Sequence, residues 1–148
     1  MSRSVELLKK RYLKNIKEHP DLFIGIELEY PIVNLEGKAT DGEVVKDLFR
    51  YLPSVLGFTI EKVDDFGNPI QLLDPVSQDT ILFEVAYTTI EFAFGKAESI
   101  QEVEERFNFY MATIQNKLGE ANHAIVGCGI HPYWDKNENC PVAYPRYQ

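Results

Sequence analysis

Hydrophobic positions fall three and four residues apart in the first stretch of the chain. Val5, Leu8, Tyr12 and Ile16 form a stripe, with Lys9, Lys10, Lys14 and Lys17 largely off it. That spacing predicts an amphipathic helix over Ser4 to Glu18, ended by His19-Pro20. From Phe23 the period changes to two. Ile24, Ile26, Leu28 and Tyr30 alternate with Gly25, Glu27 and Glu29, which predicts a strand with one apolar and one acidic face. Pro31 is expected to limit how far that strand continues. Asn34 to Gly37 reads as a turn, and Thr40 with Glu43 as a capping box over Val44, Val45, Leu48, Phe49 and Leu52, in a helix ending near Gly57.

Phe58 to Val63 and Ile70 to Leu73, joined by Asp64-Asp65-Phe66-Gly67-Asn68, predict a hairpin before Asp74-Pro75. Asp79 to Gly95 is a long β-branched and aromatic run. Ser99 and Glu102 then cap a helix carrying Ile100, Val103, Phe107, Tyr110, Ile114 and Leu118, with Gly119 as its stop. A last strand is expected from His123 to Ile130, with Cys128 buried in it, ahead of His131-Pro132-Tyr133-Trp134 and a tail rich in Pro and Asn. Helices interspersed among hairpin-connected strands predict an α+β class with a mainly antiparallel sheet.

Composition narrows the function classes. The 148 residues carry 15 Lys and Arg against 23 Asp and Glu, a formal charge of −8. Nucleic acids and anionic membranes are therefore not expected as partners, because polyanion binding is driven by clustered basic residues. No apolar run approaches the roughly 20 residues of a membrane span, and no signal core is visible, so a cytoplasmic location is expected. Two cysteines, Cys128 and Cys140, make neither a disulfide framework nor a zinc motif. Gly127-Cys128-Gly129 lacks the rest of a dinucleotide fingerprint.

The candidate chemistry lies in carboxylates. Glu27 and Glu29 share one strand face. Glu84 and Glu91 differ by seven, which on one uninterrupted strand would put them on opposite faces. Phe83, Val85 and Tyr87 alternate in one register and Ile90, Phe92 and Phe94 in the other, so a β-bulge around Thr88-Thr89 would bring both glutamates to one face. If the two strands are neighbours, four carboxylates converge, and a like-charge pair at about 4 Å costs roughly 4 kcal/mol at an effective dielectric of 20. Protonation or a cation must relieve that, and an all-oxygen set selects magnesium or manganese. The plainer reading of these glutamates is a solvated sheet face.

Three segments taken in order carry a resemblance: Ile24-Gly25-Ile26-Glu27-Leu28-Glu29-Tyr30-Pro31, Phe83-Glu84-Val85-Ala86-Tyr87-Thr88-Thr89-Ile90-Glu91-Phe92, and Gly129-Ile130-His131-Pro132. Together they resemble the N-terminal part of bacterial glutamate–cysteine ligases, in the carboxylate–amine ligase group related to glutamine synthetase. The resemblance implies part of a glutamine synthetase-like catalytic domain, with an antiparallel sheet and magnesium-binding glutamates at Glu27, Glu29, Glu84 and Glu91. It also implies an ATP-dependent reaction in which the glutamate γ-carboxylate is phosphorylated and the cysteine amine displaces phosphate. His131 and Arg146 are the further catalytic candidates, His131 at a strand end and Arg146 as a bidentate anion holder. Tyr133, Trp134, Tyr144 and Tyr147 are expected to pack.

Ligases of this type run to several hundred residues. On that comparison residues 1–148 are expected to be the front of a larger catalytic domain, with weak metal binding and no turnover by themselves. Two alternatives stay open: a ligase with another amine acceptor, and a non-catalytic binding or dimerisation module. An oligomer is compatible with each.

Overall fold

The computed structural model describes residues 2–133 and 141–147; Trp134 and Cys140 lie outside them. In chain order the elements are α1 (Arg3–Leu13), β1 (Glu27–Asn34), α2 (Gly42–Leu56), β2 (Thr59–Val63), β3 (Pro69–Leu73), β4 (Thr80–Phe83), β5 (Thr89–Ala93), α3 (Ile100–Gly119), β6 (His123–Ile125) and a 3₁₀ turn, Pro145–Tyr147. The six strands make one sheet in the order β2-β3-β4-β5-β1-β6, every neighbouring pair antiparallel. The fold is α+β.

Residues directly opposite each other on adjacent strands share a face, so the register writes the two faces as rows. Leu28, Phe92, Ile81 and Leu72 align across β1, β5, β4 and β3, as do Tyr30, Ile90 and Phe83. These side chains meet Val45, Leu48, Phe49 and Leu52 of α2 and Val103, Tyr110, Ile114 and Leu118 of α3 in a single core. Phe49 stacks on Phe83 with ring centroids 3.8 Å apart. Both long helices thus cover the apolar face and leave the other face open.

Most elements follow from their local sequence. The β2–β3 hairpin forms as expected, and Asp64 closes its turn by accepting from the N–H groups of Phe66 and Asn68. At α3, Ser99 Oγ accepts from the Glu102 N–H while the Glu102 carboxylate accepts from the Glu98 N–H. Gly57 ends α2 with φ +74°, the left-handed conformation that favours glycine.

Several expectations are corrected. The first helix ends at Leu13 and not at Glu18. None of its residues is buried, so no tertiary packing favours its extension. The cap of α2 is Asp41, which accepts from the Glu43 N–H; the Thr40 hydroxyl instead donates to the Ile32 carbonyl at 2.6 Å and ties the helix entry to β1. Pro31 does not stop β1. The Ile32 N–H donates to Thr88 on the β5 side, so the missing N–H of Pro31 faces the other flank, where the β6 ladder is only beginning. That last strand is three residues long. After Ile125 the Val126 N–H bonds the Pro31 carbonyl and the Cys128 N–H turns back to Val126, so Cys128 lies exposed in a loop. Among the described residues no helix is long and apolar enough to cross a membrane.

Candidate functional site

The open face of the sheet is built by the alternate rows. One runs Glu29, Glu91, Leu82, Gln71, Lys62 across β1, β5, β4, β3 and β2; the next runs Glu27, Ala93, Thr80, Leu73, Thr59. Because Ile26 and Ile32 exchange backbone hydrogen bonds with the β5 side, Glu29 and Glu91 form a non-hydrogen-bonded pair. At such pairs opposing Cα atoms are only about 4.5 Å apart. β1 and β5 are adjacent, and two carboxylates therefore meet head on.

Glu84 joins them through a hairpin and not through a bulge. The run from Asp79 to Gly95 divides into β4 and β5, with Val85 to Thr88 between them. Val85 takes φ +61°, and the Ala86 N–H donates to the Glu84 carbonyl at 2.7 Å in a γ-turn. The Glu84 N–H then bonds Thr89, placing Glu84 diagonally from Glu91 on one face. A return across a hairpin and an extra residue in one strand solve the same parity problem, which is why the alternation alone favoured the bulge.

The electrostatics record the convergence. Burial pushes the Glu91 carboxyl up, the hydrogen bond and charge of Glu84 push it further, and Glu27 and Glu29 add to the effect, giving about 7. Glu27 and Glu29 are exposed, whereas Glu84 and Glu91 are half-buried. Like charges that cannot all ionise hold a proton among them. Among the described residues no group of three or more His, Cys, Asp or Glu is already drawn together as a metal cage.

The tail reaches this face. Val142 is fully buried, and its N–H bonds the Val85 carbonyl; the Ala143 N–H donates to the Tyr87 hydroxyl, which in turn donates to Asp64 at 2.7 Å. Burial pulls the Asp64 carboxyl upward, but hydrogen bonds from Asn68 and Tyr87 outweigh it and hold it below its usual value. So anchored, the tail sets the Tyr147 hydroxyl 3.5 Å from Glu84 Oε2. Burial and the charge of Glu84 raise the Tyr147 phenol, which keeps it a donor. Tyr144 and Tyr147 pack against the edge of the core, as expected for these aromatics. Arg146 lies in the 3₁₀ turn with its guanidinium over the Tyr147 ring.

His131 is placed differently. Its Nε2 lies 2.9 Å from the Ile32 carbonyl and 3.3 Å from Thr40 Oγ1, and its Nδ1 accepts from the Tyr133 N–H at 3.2 Å. Both ring nitrogens are engaged, so His131 straps the loop after β6 onto β1. It also lines a pocket of about 140 Å³ with Glu29, Tyr30, Thr89, Cys128 and Gly129, beside the acidic row. The structure therefore gathers Glu27, Glu29, Glu84 and Glu91, sets His131 at one margin and carries Arg146 to the opposite side.

Lys62 and Gln71 gave no motif signal, since their place at the site comes from register alone. A second buried charge cluster lies off the open face. Asp79 accepts from Arg106, from Tyr110 and from the Gly95 N–H, and it fastens α3 to the loop after β3. No known protein-family model matches the chain, and neither does any curated protein.

Proposed function

We propose that the open acidic face holds magnesium for phosphoryl transfer, and that the protein is an ATP-dependent glutamate–cysteine ligase related to the glutamine synthetase-like carboxylate–amine ligases. The observation that supports this most is the head-on pair Glu29 and Glu91, flanked by Glu27 and Glu84, on a sheet face left open by the helices. The donor set is all oxygen and fits a hard cation. Glu27, Glu29, Glu84 and Glu91 would hold it, and Glu91 would release its proton to solvent on binding. When bound, the metal neutralises and aligns phosphate oxygens, which is most of what phosphoryl transfer asks of a protein. No activated side-chain nucleophile is required, in keeping with the carboxylates gathered at the β1–β5 end of the face. His131 positions β1 against its neighbouring loop, so that Glu29 projects beside the 140 Å³ pocket.

Two measurements test the reading. Magnesium or manganese at 100 times its dissociation constant should stabilise the chain by roughly 2.7 kcal/mol, and paired E29Q and E91Q substitutions should abolish the effect. In the protein purified from its native source, phosphate release should require ATP, glutamate and cysteine together. Equal release without an amine acceptor would sink the ligase, and a panel of amines would show whether the acceptor is cysteine.

A further inference from the structure

The row that begins at Glu29 and Glu91 ends at Lys62, three strands and about 14 Å beyond Glu91 at the usual 4.7–4.9 Å strand spacing. Its charge therefore changes sign along its length: two carboxylates, then Leu82 and Gln71, then an ammonium. At that far end Lys62, Gln71, Leu82, Arg146 and Tyr147 line one small cleft. Gln71 donates to one oxygen of Glu61 at 2.6 Å, so its amide is held at the rim of the cleft.

The two cations stand apart from most of the others in the folded body. Lys38, Lys46, Arg50, Arg106 and Lys117 each form an ion pair. Lys62 and Arg146 form none among the described residues, and both are exposed in a chain of charge −8. Two unpaired cations held in one cleft repel each other unless an anion lies between them. A guanidinium fork beside a point-charge ammonium suits a tetrahedral oxyanion, which offers a bidentate edge and further oxygens. Tyr147 links the two ends, since it lines this cleft while its hydroxyl reaches Glu84.

We propose that Lys62 and Arg146 form a phosphoryl-binding subsite at the opposite end of the acidic row, so that a metal-bound phosphate chain would lie along Leu82 and Gln71. The subsite deepens the functional reading above and rests on it for the molecule that brings the phosphate. Inorganic phosphate and acetate, titrated without divalent metal and followed by NMR shifts of Lys62, Gln71 and Tyr147, test it directly. Phosphate should bind; K62A and R146A should each weaken it at least fivefold, and K62R should retain it with unchanged circular dichroism. Phosphate binding unaltered in the double variant overturns the subsite, as does acetate binding as tightly as phosphate. Manganese binding, measured separately in wild type and E91Q, keeps the two readings distinct. Manganese that fails to bind the wild type, or binds E91Q equally well, while phosphate binds sinks the metal centre alone; manganese that binds the wild type and is weakened in E91Q while phosphate fails to bind sinks this subsite alone.

Discussion

Glu29 and Glu91 face each other directly across the β1–β5 ladder, each held on the open side by an apolar neighbour turned into the core. In a solvated cross-strand pair, like charges are merely unfavourable. Here Glu84 lies diagonal to Glu91 and Glu27 two residues from Glu29, and burial of Glu91, joined by the hydrogen bond of Glu84 and the charges of its neighbours, holds a proton near neutrality.

This has a consequence for stability against pH. The Glu91 carboxyl rises from its usual 4.5 to about 7 in the fold, so the native state binds its proton more tightly than the unfolded chain. Its contribution is full below about pH 4.5 and is lost as pH climbs through 7. Allowing for solvent screening of a half-exposed group, the loss should be about 1 kcal/mol. Urea denaturation at pH 5 and pH 8 should show it, and E91Q should flatten the difference. Asp64 and Asp74, whose carboxyls are held low, act in the acid range and leave this window clear.

Gly95 lies where two backbones come too close for any side chain. A Cβ there would sit 1.9 Å from the Ser77 carbonyl oxygen, and neither backbone is free to retreat, because the Gly95 N–H is bonded to buried Asp79. G95A should cost about 2 kcal/mol or more, in the range of severe overpacking. A urea midpoint unchanged within error would show that the loop from Asp74 to Asp79 yields.

Tyr87 holds the tail in place through one hydroxyl that donates to Asp64 and accepts from Ala143. Y87F keeps the ring against Phe83 and removes both bonds. Stability should fall by about 1–2 kcal/mol, chiefly from the buried groups left unpaired. Amide exchange at Ala143 should quicken before exchange in β4 or β5 does. Equal acceleration everywhere would mean that the tail is no separate unit.

Legibility in the sequence depended on how local the determinants were. The β2–β3 hairpin and α3 could be read because turn, cap and apolar period all lie within a few residues of one another. Glu27 and Glu29 sharing an acidic face followed from alternation alone. The relation of Glu84 to Glu91 was half legible: parity required a disruption between them, but a bulge and a hairpin disrupt it equally. Thr40 resembled a cap because its real partner, the Ile32 carbonyl, belongs to another element. Lys62 was invisible as a site residue, since only the pairing of five strands brings it into line with Glu29.

The open row also guards the pairing of the sheet itself. A strand that slips by one residue exchanges its two faces. If β5 slipped by one residue against its neighbours, Glu91 would take the buried place of Ile90 between Tyr30 and Phe83 while Phe92 emerged beside Glu29. Burying an unpaired carboxylate there costs far more than any single misplaced apolar side chain. The same glutamates that crowd one another at the surface thus make each one-residue misalignment of β1 and β5 costlier, and their repulsion is the counterpart of a sheet whose faces are unambiguous.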